Sequence, residues 1–110
     1  MEAGFKDPGA AVLIIGNPDD KCLERLTTLY RVYGPRGLKL IVISNSGVSR
    51  VLESMRSFLQ KNTSFTIELY VVNPGDATRS GVDKYTDVVT CDQELLEALP
   101  SNLKSKVVAQ

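Results

Sequence analysis

The seven residues Ser44-Asn45-Ser46-Gly47-Val48-Ser49-Arg50 are of the types that bind oxyanions. Serine hydroxyls donate hydrogen bonds, a glycine lets a ligand approach the backbone, and Arg50 offers a guanidinium fork that matches a phosphate. The stretch follows an apolar run ending at Ile43 and leads into a helical pattern. At such a junction the free N–H groups and the positive end of the helix dipole attract anions. Arg79, in a later loop, is a possible second cation. Ser44, Asn45, Ser46, Gly47, Ser49, Arg50 and Arg79 therefore form the candidate ligand-binding set. The same small polar residues also suit plain turn geometry, with Ser46 or Ser44 the expected cap of the helix that follows.

The spacing Ser44-x-x-Gly47-x-x-Arg50 resembles the C-x-x-G-x-x-R loop of cysteine phosphatases and rhodanese-like sulfurtransferases, which also follows a strand and opens a helix. The resemblance spans seven residues and implies oxyanion binding. Ser44 stands where those families carry their cysteine nucleophile, so it does not imply their thiolate chemistry. A second resemblance is to the Toprim domains of primases, topoisomerases and some nucleases. These carry an acidic residue after the first strand and a D-x-D after the third. Here Gly16 holds the first position, and the later stretch reads Asn73-Pro74-Gly75-Asp76-Ala77. Two of the three expected carboxylates are missing or displaced, which implies a degenerate relative without metal-dependent catalysis.

Other chemistries are excluded by composition. Histidine is absent, which removes His-dependent acid–base and triad mechanisms. With Cys22 and Cys91 the only cysteines, no short-spaced thiol pair exists for zinc, and no metal site is expected. Cys91 precedes a predicted helix start, a place that lowers a thiol pKa, but Asp92 and Glu94 oppose a thiolate there. Both cysteines are expected as reduced, structural thiols of an intracellular, cytoplasmic protein. The first helix lacks a G-x-G-x-x-G or Walker-lysine signature, and Asp19 and Asp20 already fill its positive end. No cofactor motif is present, and no catalytic constellation is apparent.

The elements that must position the candidate loop are legible from periodicity. Ala10 to Ile15 is a short apolar run bounded by Gly16-Asn17-Pro18, which predicts a buried strand. Asn17 is the expected N-cap of a first helix with Pro18 at its first position, and Leu23, Leu26, Leu29, Tyr30 and Tyr33 recur at helical spacing until Gly34-Pro35. Leu38 to Ser44 predicts the second strand. Val48, Val51, Leu52, Met55, Phe58 and Leu59 form the apolar stripe of the second helix, which ends near Asn62. Phe65 to Val72 alternates as a third strand, with Phe65, Ile67 and Leu69 facing one way. Asn73 to Tyr85 reads as a long loop with at most a short helix. Val88 to Thr90 predicts a short fourth strand, and Thr90-x-x-Gln93 a capping box for a helix through Leu99. Residues 1–9 read as a loose arm without a signal-peptide core, and residues 101–110 as a tail.

Strands alternating with helices predict one α/β domain over residues 1–110: a Rossmann-like three-layer fold with a four-stranded, mainly parallel sheet. The first two strands are apolar on both faces and belong in the centre, which favours the order 3-2-1-4; the alternative is 2-1-3-4. Ligands of such sheets bind outside the carboxyl ends of the strands, where the candidate loop falls.

The chain carries 13 basic and 13 acidic residues, so it lacks the basic excess of a dedicated nucleic-acid binder, and nucleic acid is not favoured as a partner. No apolar run reaches the roughly 20 residues of a membrane span. The charges are uneven. Residues 31–61 carry Arg31, Arg36, Lys39, Arg50, Arg56 and Lys61 against Glu53 alone, whereas residues 83–97 are acidic. The expected function is a small binding or regulatory module for a phosphate-bearing ligand, with a nucleotide the leading class. The alternative is an interaction or assembly module without a small ligand, which includes a homodimer through an edge strand.

Overall fold

The computed structural model describes residues 10–76 and 87–99. The expected arm at 1–9, the tail at 101–110 and Arg79 lie outside the described residues. Four strands, β1 (Ala10–Ile15), β2 (Leu38–Ile43), β3 (Ile67–Val72) and β4 (Asp87–Thr90), form one parallel sheet in the order β3-β2-β1-β4. Three helices flank it: α1 (Asp20–Tyr33), α2 (Val48–Lys61) and α3 (Gln93–Ala98). The architecture and the strand order are those expected from the burial pattern of the strands.

The sheet has two apolar faces because β1 and β2 are apolar at every position from Val12 to Ile15 and from Leu40 to Ile43. Val12, Ile14, Leu40 and Val42 meet Leu26, Leu29 and Tyr30 of α1 and Val51, Met55 and Phe58 of α2. Leu13, Ile15, Ile41 and Ile43 face the other way, onto Leu95, Leu96 and Leu99 around α3. Strands covered on both faces read as continuous apolar runs, and these two do. Val12 to Ile15, Leu40, Val42 and Ile43 are all fully inaccessible to solvent.

The edges differ from the centre. β3 half-buries Ile67, Leu69 and Val71 on the α1–α2 side and exposes Glu68 and Tyr70 on the other. The Tyr70 hydroxyl donates to Glu68 Oε1 at 2.9 Å, and the Lys39 ammonium lies 5.1 Å from the centre of the Tyr70 ring. The hydrogen bond to Glu68, with its negative charge, raises the Tyr70 pKa. The Leu38 and Ser44 N–H groups donate to the Thr66 and Val72 carbonyls, so the even-numbered residues of β3 bond to β2. The N–H and C=O groups of Ile67, Leu69 and Val71 accordingly point to the outer edge. At the other edge Asp87 opens β4 and pairs with Arg25 at 3.3 Å, an exposed contact worth well under about 1 kcal/mol.

Several local expectations are corrected. α1 starts one residue after Asp19, whose carboxylate accepts from the Cys22 N–H at 3.0 Å; Asn17 is not its cap. α3 is capped by Asp92, which accepts from Leu95 N–H at 3.1 Å, in place of the Thr90 capping box. Phe65 precedes β3 and packs against Tyr30, whose hydroxyl accepts from its N–H at 2.8 Å. Val48 and Leu52 were expected in the inward stripe of α2, but they are 55% and 42% exposed. Val51, Met55 and Phe58 already fill the space over the sheet, and Leu52 lies about 100° around the helix from Val51.

The cysteines depart from expectation most. Cys22 and Cys91 are joined in a disulfide, with Cα atoms 6.1 Å apart and a sequence separation of 69. Topology brings them together: Cys22 lies in the first turn of α1, the helix that follows β1, Cys91 directly follows β4, and β1 and β4 are neighbours. In the chain-entropy account, closing a loop of this length stabilises by about 4 kcal/mol.

Truncating Ile14 or Val42 to Ala is expected to lower unfolding free energy by roughly 2–4 kcal/mol in urea titrations. Leu52→Ala, on the outward face of α2, should change it by less than about 0.5 kcal/mol. A Leu52→Ala loss as large as that of Ile14→Ala would contradict the packing described.

Candidate functional site

The carboxyl edge of the sheet is where β1, β2 and β4 hand over to their helices. Backbone bonds pin it: Gly16 N–H donates to Ile43 C=O at 2.8 Å, and the Cys91 and Asp92 N–H groups both donate to Ile15 C=O, at 2.8 and 3.0 Å. Gly16 has φ +96°, and an added Cβ there would come within 2.5 Å of Asp92 Cβ. Glycine is therefore required both by the backbone and by the close approach of Asp92. The position at which Toprim domains carry their first carboxylate has no room for a side chain. Asp76, the later acid of that comparison, accepts from Asn73 Nδ2 at 3.0 Å.

The candidate loop is held by a closed ring of three hydrogen bonds. Ser44 Oγ donates to Asn17 Oδ1 at 2.5 Å, Asn17 Nδ2 donates to Ser46 Oγ at 3.2 Å, and Ser46 N–H donates to Ser44 Oγ at 3.0 Å. Ser44 is 3% exposed, and its hydroxyl is occupied as donor and acceptor alike. It fixes the loop and does not face solvent. The residue at the nucleophile position of the phosphatase-like spacing is thus a buried, hydrogen-bonded hydroxyl. Asn17, read from sequence as a helix cap, instead ties the β1 and β2 loops together. Asp19, with a carboxylate two residues further on and directly before the first helical residue, is the signal that another cap was available.

Beyond this ring the loop is open. Asn45, Ser46, Gly47, Ser49 and Arg50 are all exposed. Gly47 is the N-cap of α2, with φ +85° and no side-chain capping bond, which corrects the expectation of a serine cap. The first intrahelical bond of α2 runs from Val51 N–H to Gly47 C=O at 3.2 Å, so the N–H groups ahead of Val51 have no partner within the helix. An added Cβ at Gly47 would meet nothing within 4 Å. The space before the helix is clear, yet the positive φ itself demands glycine.

The starts of the three α-helices among the described residues differ in charge. α1 and α3 are capped by Asp19 and Asp92, with Asp20 and Glu94 in their first turns. α2 has no acidic residue in its first turn. The positive dipole ends of α1 and α3 are already neutralised, and that of α2 is not. An open groove of about 710 Å³ begins beside Ser49 and Arg50 and continues past Leu52, Glu53, Arg56 and Leu59 on the outer face of α2. The structure therefore brings Ser46, Gly47, Ser49 and Arg50 to one end of α2 and leaves Ser44 beneath them as support. Sequence reasoning missed the role of Asn17 and the pairing of Cys22 with Cys91. Among the described residues no cluster of three or more acidic, cysteine or histidine side chains is placed to hold a metal ion.

No protein-family model matches the chain, and no curated protein sequence matches it. Among solved structures, the chain is similar to that of a hypothetical protein from Sulfolobus tokodaii, with a TM-score of 0.61 and 18% sequence identity. The similarity covers 87% of this chain and 89% of that one, and at this identity it shows a shared α/β fold alone. Among the described residues no helix is long and apolar enough to cross a membrane.

Proposed function

We propose that this protein is a binding or regulatory module for a phosphate-bearing small ligand, with a nucleotide the leading class. The observation that carries the reading is the start of α2: an exposed turn at Gly47, N–H groups without an intrahelical partner, no capping side chain and no nearby acid of its own first turn. An anionic phosphate would complete what Asp19 and Asp92 supply at the other two helices. Ser46 and Ser49 add hydroxyls, and Arg50 adds charge. The organic part of the ligand would lie along the groove at Leu52 and Arg56. The reading takes the protein as cytoplasmic, where a disulfide exchanges with a thiol pool.

A second reading is assembly without a small ligand, through a two-fold dimer at β3. It is favoured by the outward N–H and C=O groups of Ile67, Leu69 and Val71, and by Tyr70, which is 48% exposed. Glu68 is the only charged residue of β3. Sedimentation over a micromolar concentration range should then show a dimer, and a monomer mass throughout would remove this reading.

Phosphate or a nucleotide at about ten times its Kd should stabilise the protein by about 1.4 kcal/mol, a rise of several degrees in melting temperature. Arg50→Ala should abolish most of that rise and leave the unliganded melting temperature nearly unchanged. Ser44→Ala should behave differently, because Asn17 Oδ1 and the Ser46 N–H lose a partner: unliganded stability should drop by about 1–2 kcal/mol. Asn17→Ala and Ser44→Ala should couple in a double-mutant cycle by about 0.5–1.5 kcal/mol. An unmutated protein that millimolar phosphate and nucleotides leave at the same melting temperature contradicts the ligand reading and leaves the assembly reading.

A further inference from the structure

In the strand order β3-β2-β1-β4 the direction of winding reverses between β1 and β4, and the crevice at that reversal is where open α/β sheets take their ligands. Here it is shut. Asp92 packs against the missing side chain of Gly16, and the Cys22–Cys91 disulfide joins the first turn of α1 to the end of β4. The two cysteines differ in access. Cys22, in the first turn of α1, is 7% exposed within the core, while Cys91 is half-buried at its margin. What the disulfide restrains is a short segment: β4 has four residues, α3 six, and the described residues pair β4 with β1 alone, with Val89, Leu95, Leu96 and Leu99 packed on the sheet.

We propose that Cys22–Cys91 is a reversible thiol–disulfide exchange site that takes dithiols at Cys91 and so opens the crevice between β1 and β4. A thiolate of the external dithiol attacks Cys91 Sγ. The bond between the two protein sulfurs breaks, and its electron pair leaves with Cys22 Sγ, which takes up a proton. The second thiol of the reagent then attacks the mixed disulfide and releases Cys91 as a thiol. The protein disulfide gains two electrons and two protons, and the dithiol is oxidised to its cyclic disulfide. Reversal by an oxidised dithiol closes the crevice again. Reduction breaks no backbone bond between β1 and β2, whereas the β4–α3 segment loses its covalent tie to α1 and is held by its pairing with β1 and the packing of its leucines. This device is independent of anion binding at α2 and stands or falls without it.

The test uses the whole chain without denaturant, in defined ratios of reduced to oxidised dithiothreitol, followed by acid quench, alkylation and mass measurement. The oxidised protein is expected to take up no alkyl group and the reduced protein two, with full interconversion in both directions. Native-state hydrogen exchange of the two forms should show the amides of Cys91, Asp92 and Leu95 exchanging at least about tenfold faster after reduction, and in the reduced form faster than those of β2, which exchange only with global unfolding. The Cys91→Ser and Cys22→Ser variants locate the attack. With an aromatic disulfide reagent, the free Cys91 of Cys22→Ser should react at least about tenfold faster than the free Cys22 of Cys91→Ser. A disulfide reduced only in denaturant, two thiols that oxidised dithiothreitol leaves unjoined, or unchanged exchange at Cys91 and Asp92 after reduction would each overturn the proposal. The exchange comparison needs only the reduced natural chain, so it decides even where a serine variant does not fold.

Discussion

Everything in this fold is arranged around β1. Val12, Leu13, Ile14 and Ile15 are wholly inaccessible, and the strand is paired on both sides, by β2 and by β4. A strand in that position has no solvent face on which to place a polar side chain, so it must be apolar throughout and must be covered twice. Its even residues require α1 and α2, and its odd residues require α3. The aliphatic character of β2 follows for the same reason, as does the demotion of the mixed strand β3 and the short β4 to the edges. Burying one such aliphatic side chain is worth about 1.5–3 kcal/mol, so four together weigh heavily against a net stability of order 5–15 kcal/mol.

The central strand also sets where chemistry can occur. Its carboxyl end delivers Gly16 and Asn17 between two neighbours, and these two residues divide the edge into unlike halves. Towards β4, Gly16 accepts the close approach of Asp92, and the disulfide and the acidic caps of α1 and α3 complete a closed, negatively charged half. Towards β2, Asn17 reaches Ser44 and Ser46 and holds the turn that leaves Gly47 open. A single rule accounts for both halves: orphan N–H groups at a helix start need an acceptor. Where an aspartate supplies it, the edge is closed to anions, and where none does, a place for one remains.

The sheet order was legible because burial follows composition. Alternation in Ile67 to Leu69 and the shortness of Val88 to Thr90 marked edges, while the uninterrupted runs at Ile14 and Val42 marked the centre. Caps were less legible. Around α1, Asn17, Asp19 and Asp20 all have cap-forming side chains, and only the path of the chain decides that Asp19 accepts the Cys22 N–H while Asn17 turns toward β2. Similarly Ser46 has the residue type of a cap, but its hydroxyl is drawn to Asn17, 29 residues away. Val48 and Leu52 fitted a helical stripe, yet α2 needs only a narrow one over the sheet. The disulfide was hidden for a related reason: a separation of 69 residues carries no local signal. It becomes readable once the order 3-2-1-4 is accepted, since that order sets the ends of β1 and β4 side by side. The candidate loop itself was visible in residue types and spacing; that its first serine is a buried support was not, because local sequence does not report burial.

On the proposal made above, this edge meets an anion at the open start of α2. The most direct measurement is a titration of isotope-labelled protein with inorganic phosphate, followed by amide chemical shifts at constant pH and ionic strength. Saturable shifts are expected that are largest at Gly47, Val48 and Ser49, follow one binding curve, and are small at the starts of α1 and α3. Shifts absent at Gly47 to Ser49, or spread evenly over the basic surface without saturation, would contradict the proposal.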